Sequence, residues 1–327
     1  MISGLPFDDF RHLVATMPGP DDAARNEAAE LNRRAEVREG PLGRAGAIAE
    51  WLAAWSGRRP GALRPQIAIF AGTHGIAAKL PESGGETVQA FVDRCGAGNA
   101  PINQLCAAGD YGLKVFDLAL DVPTADLTAE ATLDERGCAA TMAFGMEAVA
   151  GGAGLVVLAG HGGRAGTISA LALLTAMKAA TVLPQELSKR KAEIIAQALA
   201  CHTGHLADPL EALRRVGGRE TAALAGAIVA ARIQKVPVLL DGVAAIAAAA
   251  VVHAMNPSGI GHCMIADGGS TSHMMAGQIG LEPVLRLGLE TSDASAGAIA
   301  AGVVQAAAHC HAAAGVFEMR SSPRQTG

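Results

Sequence analysis

The segment LVVLAGHGGRAGT occupies residues 155–167 and carries the pattern that decides the fold. Its first five residues are aliphatic or small, as expected of a strand that is buried on both faces. Glycines at 160, 162 and 163 then allow a tight turn, and the alanine-rich residues that follow favour a helix. The segment therefore predicts a strand, a glycine turn and a helix in direct succession.

Four more short apolar runs end at glycine or aspartate or lead into a helix, and alanine-rich helical stretches lie between them. The runs are Ile67–Ala71, Leu113–Leu118, Val236–Leu240 and Cys263–Ala266. The helical stretches are Glu86–Ala107, Glu135–Ala150, Ser169–Ala180, Leu187–Ala200, Glu220–Arg232 and Val243–Met255. This repetition predicts an α/β fold, in which helices cover both faces of a parallel sheet and ligands bind beyond the carboxyl ends of the strands.

The two ends of the chain predict helices that stand apart from this repetition. Residues 21–56 form two amphipathic stretches, and Ser295–Ala314 is apolar on almost every face. We expect residues 1–60 to be the N-terminal part of a small helical domain and residues 61–290 to be the α/β domain. Residues 291–318 then supply a C-terminal helix that packs with the small domain, and residues 319–327 a disordered tail.

Composition and charge exclude several classes of protein. The formal net charge is -5 and no long basic run is present, which argues against nucleic-acid binding and favours a small-molecule ligand. The most apolar run, 224–251, is interrupted by charged residues, and the N-terminus lacks the pattern of a signal peptide. The six cysteines are scattered and no set of metal ligands is evident, so we expect a cytoplasmic protein with free thiols and no metal.

The predicted turn at Gly160–Thr167 is the first candidate site. Glycines let an anion approach backbone amides at a helix N-terminus, while Arg164 adds a positive charge and Thr167 a hydroxyl. Gly160, His161 and Gly162 complete this candidate phosphate loop. The alternative is a tight strand-to-helix turn that binds nothing.

Other polar residues lie at predicted strand ends. Thr73 and His74 belong to AGTHG at 71–75, and Gly269 and Ser270 to ADGGSTSH at 266–273. Asp241 follows a buried strand and is either a helix cap or a site residue. Glu290 and Asp293 lie in a polar break before the last helix, where an acid can cap the helix or act as a general base.

Several long segments resemble one enzyme family, the proteobacterial nicotinate-nucleotide:5,6-dimethylbenzimidazole phosphoribosyltransferases. These segments include GLPFDDFR (4–11), PLGRAGAIAEWLAAWSGR (41–58), IAIFAGTHG (67–75), INQLCAAGDYGLKVFDLAL (102–120), CAATMAFGMEA (138–148), DPLEALRRVGGRETAALAGAIVAARIQKVPVLLDG (208–242) and AAGVVQAAAHCH (300–311). The resemblance implies transfer of ribose phosphate from nicotinate mononucleotide to dimethylbenzimidazole, forming α-ribazole phosphate in cobalamin assembly. It also implies a Rossmann-like nucleotide- and base-binding domain, a small helical domain, a homodimer and no cofactor.

The strand-end loops depart from the motifs of that family. Asp293 stands where the family has its general-base glutamate, and Ala90 where a glutamine helps to hold the benzimidazole. Residues 159–167 replace the family's Gly-Glu-Met-Gly-Ile-Gly-Asn-Thr-Thr, residues 181–187 its second phosphate loop, and residues 269–273 its Ser-Gly-Glu-Pro-Gly-His turn.

Two interpretations follow. The first is an active transferase that uses Asp293 as base and His161, Arg164 and Thr167 for the anion. The second is a non-catalytic relative that binds a ligand or pairs with an intact homologue as a regulatory or structural subunit.

Overall fold

The structure, a computed structural model, describes residues 5–80, 85–149, 151–180, 187–268, 270–289, 291 and 293–321. Within these ranges the side chains of residues 38–39, 270–273 and 314–321 are not described. None of the helices in the described ranges combines the length and the apolar character needed to cross a bilayer.

Six parallel strands form one sheet, which confirms the predicted α/β class. The strands are β1 (Pro65–Ala71), β2 (Gly112–Asp117), β3 (Leu155–His161), β4 (Val238–Asp241), β5 (Cys263–Asp267) and β6 (Pro283–Leu285), in the order β2-β1-β3-β4-β5-β6. The chain reverses its direction of winding between β1 and β3. Open sheets of this kind bind ligands at that reversal, outside the carboxyl ends of the strands.

Thirteen α-helices lie in the described ranges. They are α1 (Pro6–Ala15), α2 (Asp22–Glu39), α3 (Gly43–Ser56), α4 (Val88–Gly96), α5 (Pro101–Gly109), α6 (Glu135–Ala148), α7 (Gly163–Ala176), α8 (Lys189–His202), α9 (Pro209–Val216), α10 (Arg219–Ile233), α11 (Gly242–Met255), α12 (Ser270–Gln278) and α13 (Ser295–Ser321). Two short 3-10 helices occupy Gly75–Lys79 and Pro257–Ile260.

Alternation along the strands divides the core into two layers. On β3, Val156 and Leu158 pack against α6, α7, α10 and α11, while Val157 and Ala159 point to the opposite layer with α3, α4, α5 and α13. Successive side chains of a strand face opposite sides, so a continuous apolar run supplies both layers. The sheet is therefore covered on both faces, as predicted.

Helices α6 and α10 cross at close range because each presents a glycine to the other. A Cβ added at Gly145 would lie 1.9 Å from the carbonyl oxygen of Ala223, and one added at Gly226 would lie 1.9 Å from that of Met142. Small residues let helix backbones approach closely. This close approach gives a dense core although only 3% of the residues in the sequence are aromatic.

Helix α13 joins the two ends of the chain. It packs against α2 and α3 as well as against the sheet, and His311 Nδ1 lies 2.9 Å from Asn32 Oδ1 on α2. The amide of Asn32 in turn donates to the carbonyl of Gly46 on α3. These contacts agree with a small helical domain made of both chain ends, although the domain boundaries themselves stay a prediction.

Several sequence predictions were wrong in detail. The stretch Glu86–Ala107 is two helices, because Gly98 adopts a φ of 75° and Pro101 starts a new helix. Helices α1, α9 and α12 and strand β6 were not predicted. Helix α13 packs against the sheet and the other helices of the chain but leaves Ile299 and Val303 36% and 39% exposed.

Two further findings concern the exposure of α10 and α11 and the C-terminal residues of the chain. Helices α10 and α11 are buried inside the chain itself, so their apolar residues are not available to a partner subunit. Of the predicted disordered tail, residues 319–321 continue α13 and residues 322–327 lie outside the described ranges.

Candidate functional site

The carboxyl ends of the parallel strands bring several predicted residues to one edge of the sheet. His161 ends β3, Asp241 ends β4, and Thr73 and His74 directly follow β1. Neighbouring strand ends are held in register, since Ala71 pairs with His161 and Ala159 with Asp241. This edge is the place where a sheet of this topology binds its ligand.

The turn between β3 and α7 lies at this edge, between the ends of β1 and β4. Gly162 is the N-cap of α7 and provides no side-chain cap, so the first amides of the helix are not capped by that residue. Arg164 is exposed in the first turn, and the Thr167 hydroxyl donates to the carbonyl of Gly163 at 3.2 Å. A helix N-terminus with a nearby arginine favours a bound anion.

His161 stacks on an aromatic ring that the sequence did not single out. The rings of His161 and Phe91 are nearly parallel, with centroids 3.8 Å apart, and both residues are buried. Arg94, one helical turn along α4, lies 5.7 Å from the centre of the Phe91 ring and makes two hydrogen bonds to Glu86, of 2.8 and 2.6 Å. Helix α4 thus places flat, polarisable surface beside the end of β3.

Two acids meet at the N-terminus of α13. The amide of Gly297 donates to Asp241 Oδ2 at 2.6 Å, and the amide of Ser295 donates to Asp293 Oδ1 at 3.0 Å. Asp241 makes no cap bond to α11, the helix that follows it, so the predicted cap serves a different helix. Both sequence-predicted acids therefore share one helix end.

The environment of Asp241 changes its protonation. Burial raises the pKa of Asp241 to about 7, the hydrogen bond from Gly297 opposes this shift, and the charges of Asp293 and Asp267 add to it. Asp267, at the end of β5, accepts bonds from the amides of Leu287 at 2.8 Å and Leu289 at 2.6 Å. Three carboxylates consequently interact across the ends of β4, β5 and α13.

His74 points into the molecule, where it meets an acid from a distant helix. Its Nε2 lies 2.8 Å from Oε1 of Glu220 in the first turn of α10, and both side chains are fully buried. Burial alone raises the pKa of Glu220, but the charge and hydrogen bond of His74 outweigh it and leave the pKa below its usual range. His161 also lies close enough to Glu220 and Glu86 for its charge to lower the pKa of both carboxyl groups.

The remaining predicted site residues either have a single described contact or lie outside the described residues. The Thr73 hydroxyl donates to the carbonyl of Leu120 at 3.0 Å, which fixes the turn after β1. Gly269 and Glu290 lie outside the described residues, as do residues 181–186, and of Ser270 only its place at the start of α12 is described. Their predicted roles stay predictions.

No group of three or more histidine, cysteine, aspartate or glutamate side chains could hold a metal ion within the described ranges. A surface depression of about 670 Å³ lies between Arg44 and residues 277–286, and it includes none of the predicted site residues. The polar groups described at this edge are carboxylates, imidazoles, arginines and backbone amides.

Sequence reasoning missed Glu220, Phe91, Arg94 and the role of Asp267. A signal for Glu220 was present, because Gly217 and Gly218 lie just before this acid, separated from it by Arg219, at the start of an alanine-rich helix. Phe91 and Arg94 sit in an amphipathic helix where nothing local marks them. Their position depends on how α4 crosses the strand ends.

Comparisons with known proteins agree on one family. Residues 17–320 match the family described as Phosphoribosyltransferase. A nicotinate-nucleotide–dimethylbenzimidazole phosphoribosyltransferase of Sinorhizobium fredii is 48% identical over 96% of each chain, and one of Agrobacterium fabrum is 47% identical over 99% of this chain and 98% of its own. The crystal structure of the enzyme of that name from Thermus thermophilus superposes with a TM-score of 0.78 at 26% identity, covering 88% of this chain and 95% of its own.

Proposed function

Because the chain belongs to the nicotinate-nucleotide–dimethylbenzimidazole phosphoribosyltransferase family, we propose that it transfers the phosphoribosyl group of nicotinate mononucleotide to 5,6-dimethylbenzimidazole. The products are nicotinate and α-ribazole phosphate. The geometric observation that carries the proposal is the pairing of Asp241 and Asp293 on the first turn of α13, at the same sheet edge as the N-terminus of α7. An acid and an anion-binding helix end are the two elements that this reaction requires.

Asp293 is the proposed general base. A nitrogen of dimethylbenzimidazole attacks the anomeric carbon of the ribose while the bond from that carbon to nicotinate breaks, and the bonding electrons leave with nicotinate. The proton on the second azole nitrogen then passes to the carboxylate of Asp293, whose Oδ1 is held by the amide of Ser295. The hydrogen bond leaves the other oxygen to receive the proton.

The negative charges at this edge have a second proposed role. Positive charge develops on the ribose as the glycosidic bond breaks, and the carboxylates of Asp241, Asp267 and Asp293 interact with one another close to that edge. Preorganised charges that oppose developing charge stabilise a transition state. The raised pKa of Asp241 implies that its contribution depends on pH near neutrality.

The N-terminus of α7 is the proposed phosphate site. Gly160, His161 and Gly162 bring the chain to the uncapped first turn, where Arg164 is exposed and the Thr167 hydroxyl is close by. Backbone amides at a helix N-terminus with one arginine suit a phosphate dianion. Thr73 is the proposed support of the neighbouring turn, and Gly269 and Ser270 are proposed to close the far side of the site.

The aromatic base is proposed to lie along α4. Ala90 is exposed there, in the position at which the family resemblance puts a benzimidazole-holding glutamine, and the next residue, Phe91, stacks on His161 at the end of β3. Flat side chains next to an open position favour a bicyclic aromatic ring.

A homodimer is the proposed assembly, and the cytoplasm the proposed compartment. Ile299 and Val303 lie one turn apart on α13 and are both more than one-third exposed, which suits a contact with a second copy. The cysteines Cys95, Cys106, Cys138, Cys201, Cys263 and Cys310 are all free thiols, as expected in a reducing compartment. Light scattering would give twice the 33.0 kDa of one chain if the dimer forms.

The test of the proposed function is a chromatographic assay for α-ribazole phosphate with purified protein, nicotinate mononucleotide and dimethylbenzimidazole. Product formation that depends on both substrates supports the transferase. Tight binding of either substrate, measured by calorimetry, without product would favour the non-catalytic alternative. None of the comparisons with known proteins supports that alternative. A Ser295→Ala protein serves as a matched control, because it keeps the backbone amide that binds Asp293.

A further inference from the structure

The buried pair of His74 and Glu220 has a setting that the proposed chemistry does not use. The two residues are 146 positions apart in sequence, and their side chains are completely shielded from solvent. Among the described residues, the second polar atom of each partner, His74 Nδ1 and Glu220 Oε2, has no hydrogen-bond partner. The bond between them is therefore the main polar contact that holds either side chain in place.

Several glycines lie against this pair, and a side chain at any of the four described next would collide with it or press closely on it. A Cβ at Gly218 would lie 2.4 Å from both His74 Cε1 and Glu220 Oε2, and one at Gly72 would lie 2.7 Å from Glu220 Oε2. At Gly162 the added atom would lie 2.7 Å from His74 Nε2, and at Gly166 it would lie 3.2 Å from Glu220 Oε1. The backbone therefore approaches the pair closely at each of these four glycines.

Two of these glycines belong to the turn between β3 and α7. Gly162 is the N-cap of α7, and Gly166 donates its amide back to the carbonyl of Gly162 at 2.9 Å to close the first turn. On the opposite side the amide of Gly72 donates to the carbonyl of His161 at 3.1 Å. The pair consequently lies where the turn after β1 meets the turn after β3. A shift of either side chain would displace the backbone of both turns.

We propose that His74 and Glu220 are positioning residues, which hold the turn at residues 160–166 in the geometry that receives the phosphate of the nucleotide substrate. The inference rests on the proposed function for the identity of that anion. Neither side chain touches the substrate. They act through the backbone of Gly162 and Gly166, against which both are packed.

The glutamine variants His74→Gln and Glu220→Gln separate positioning from simple charge effects. Positioning requires both variants to raise the KM for nicotinate mononucleotide, by about tenfold or more, since a displacement of about 1 Å can change a reaction on the order of 10²-fold. A charge effect alone predicts opposite signs, because loss of the Glu220 carboxylate would strengthen anion binding while loss of His74 would weaken it. The double variant His74→Gln/Glu220→Gln can form an amide-to-amide bond, so its KM should be lower than that of the worse single variant.

Gly218→Ala displaces the pair without changing any charge. Its methyl group would meet the ends of both side chains, so it should raise the same KM as the glutamine variants. Gly204→Ala is the matched control, because an added Cβ there meets nothing within 4 Å. His202→Gln is the control for a buried histidine elsewhere, since His202 Nε2 lies 3.0 Å from the carbonyl of Leu127.

Hydrogen exchange measured by mass spectrometry gives a readout that does not need the reaction. Glu220→Gln, which keeps the shape of the side chain, should speed exchange of the amides at 160–168, while Gly204→Ala and His202→Gln should not. If the wild-type protein makes no product, the proposed function fails and this exchange still decides the role of the pair. Unchanged exchange at 160–168 together with an unchanged or lower KM in Glu220→Gln would overturn the inference, even if the other variants do not fold.

Discussion

Asp241 Oδ2 accepts a hydrogen bond of 2.6 Å from the amide of Gly297, so the acid at the end of β4 caps the first turn of α13. Asp293 caps the same turn through Ser295. The last helix is therefore fixed to the ligand-binding edge by two carboxylates, and both belong to the proposed site. Each acid therefore contributes to the stability of α13 and, in the proposed function, to activity. Substituting one acid at a time distinguishes their contributions.

Asp293→Asn should lower the transfer rate by on the order of 10²-fold or more, the usual scale for loss of a general base. Asparagine caps a helix about as well as aspartate, so the bond from the Ser295 amide and the melting temperature should be retained. Steady-state kinetics and a thermal melt on the same sample make the measurement. An unchanged rate would mean that Asp293 serves only as a cap.

Asp241→Asn should change how stability depends on pH. The folded protein holds a proton on Asp241 up to about pH 7, whereas the unfolded chain releases it near the ordinary value of 3.8. Because the folded pKa is raised, the stabilising contribution is present below pH 4 and is lost as the pH rises to 7, on the order of 4 kcal/mol in all. The unfolding free energy of the wild type, relative to that of the variant, should therefore fall between pH 5 and 7 and level off above pH 8.

Urea denaturation at several pH values measures this difference. The asparagine variant keeps an oxygen for the Gly297 amide, so it isolates the effect of the charge. A stability difference that does not change between pH 5 and 8 would show that Asp241 is ionised throughout.

Ala90→Gln should lower the KM for dimethylbenzimidazole, by about tenfold or less, since one neutral hydrogen bond contributes about 0.5–1.5 kcal/mol. Ala90 is exposed on α4, so the longer side chain can be accommodated without displacing the Phe91–His161 stack. Ala90→Met, of similar length but without the amide, is the control. Equal effects of the two variants would assign any gain to apolar contact rather than to hydrogen bonding.

Gly226→Ala should destabilise the fold by about 2 kcal/mol or more, because its methyl group would lie 1.9 Å from the carbonyl oxygen of Met142 and the helices must separate. Gly277→Ala on α12 is the matched control. An added Cβ there meets nothing within 4 Å, so alanine should be neutral or stabilising by about 0.5–1 kcal/mol. Comparable melting temperatures of the two variants would contradict the close packing of α6 and α10.

The sequence by itself determined the α/β fold, because local patterns predicted five of the six strands and most of the helices between them. Residues 155–167 show the pattern in one segment: aliphatic residues for a strand buried on both faces, glycines for the turn, and alanines for the helix. Asp241 and Asp293 were also recognisable as acids at element ends. Pro101 indicates a helix break in the sequence, but the helix-favouring residues around it led to the prediction of a single helix.

Tertiary structure alone decided which of these residues meet. Periodicity reports which face of an element is buried, but not which distant element covers that face. In the sequence Glu220 is one polar residue in an apolar helix, and only the fold shows that α10 brings it to His74. Phe91 has the pattern of a core residue, and only the fold shows that α4 crosses the end of β3 and stacks Phe91 on His161. Asp241 likewise had a predicted partner in its own following helix, whereas the fold brings its carboxylate to the amide of Gly297 in the first turn of α13.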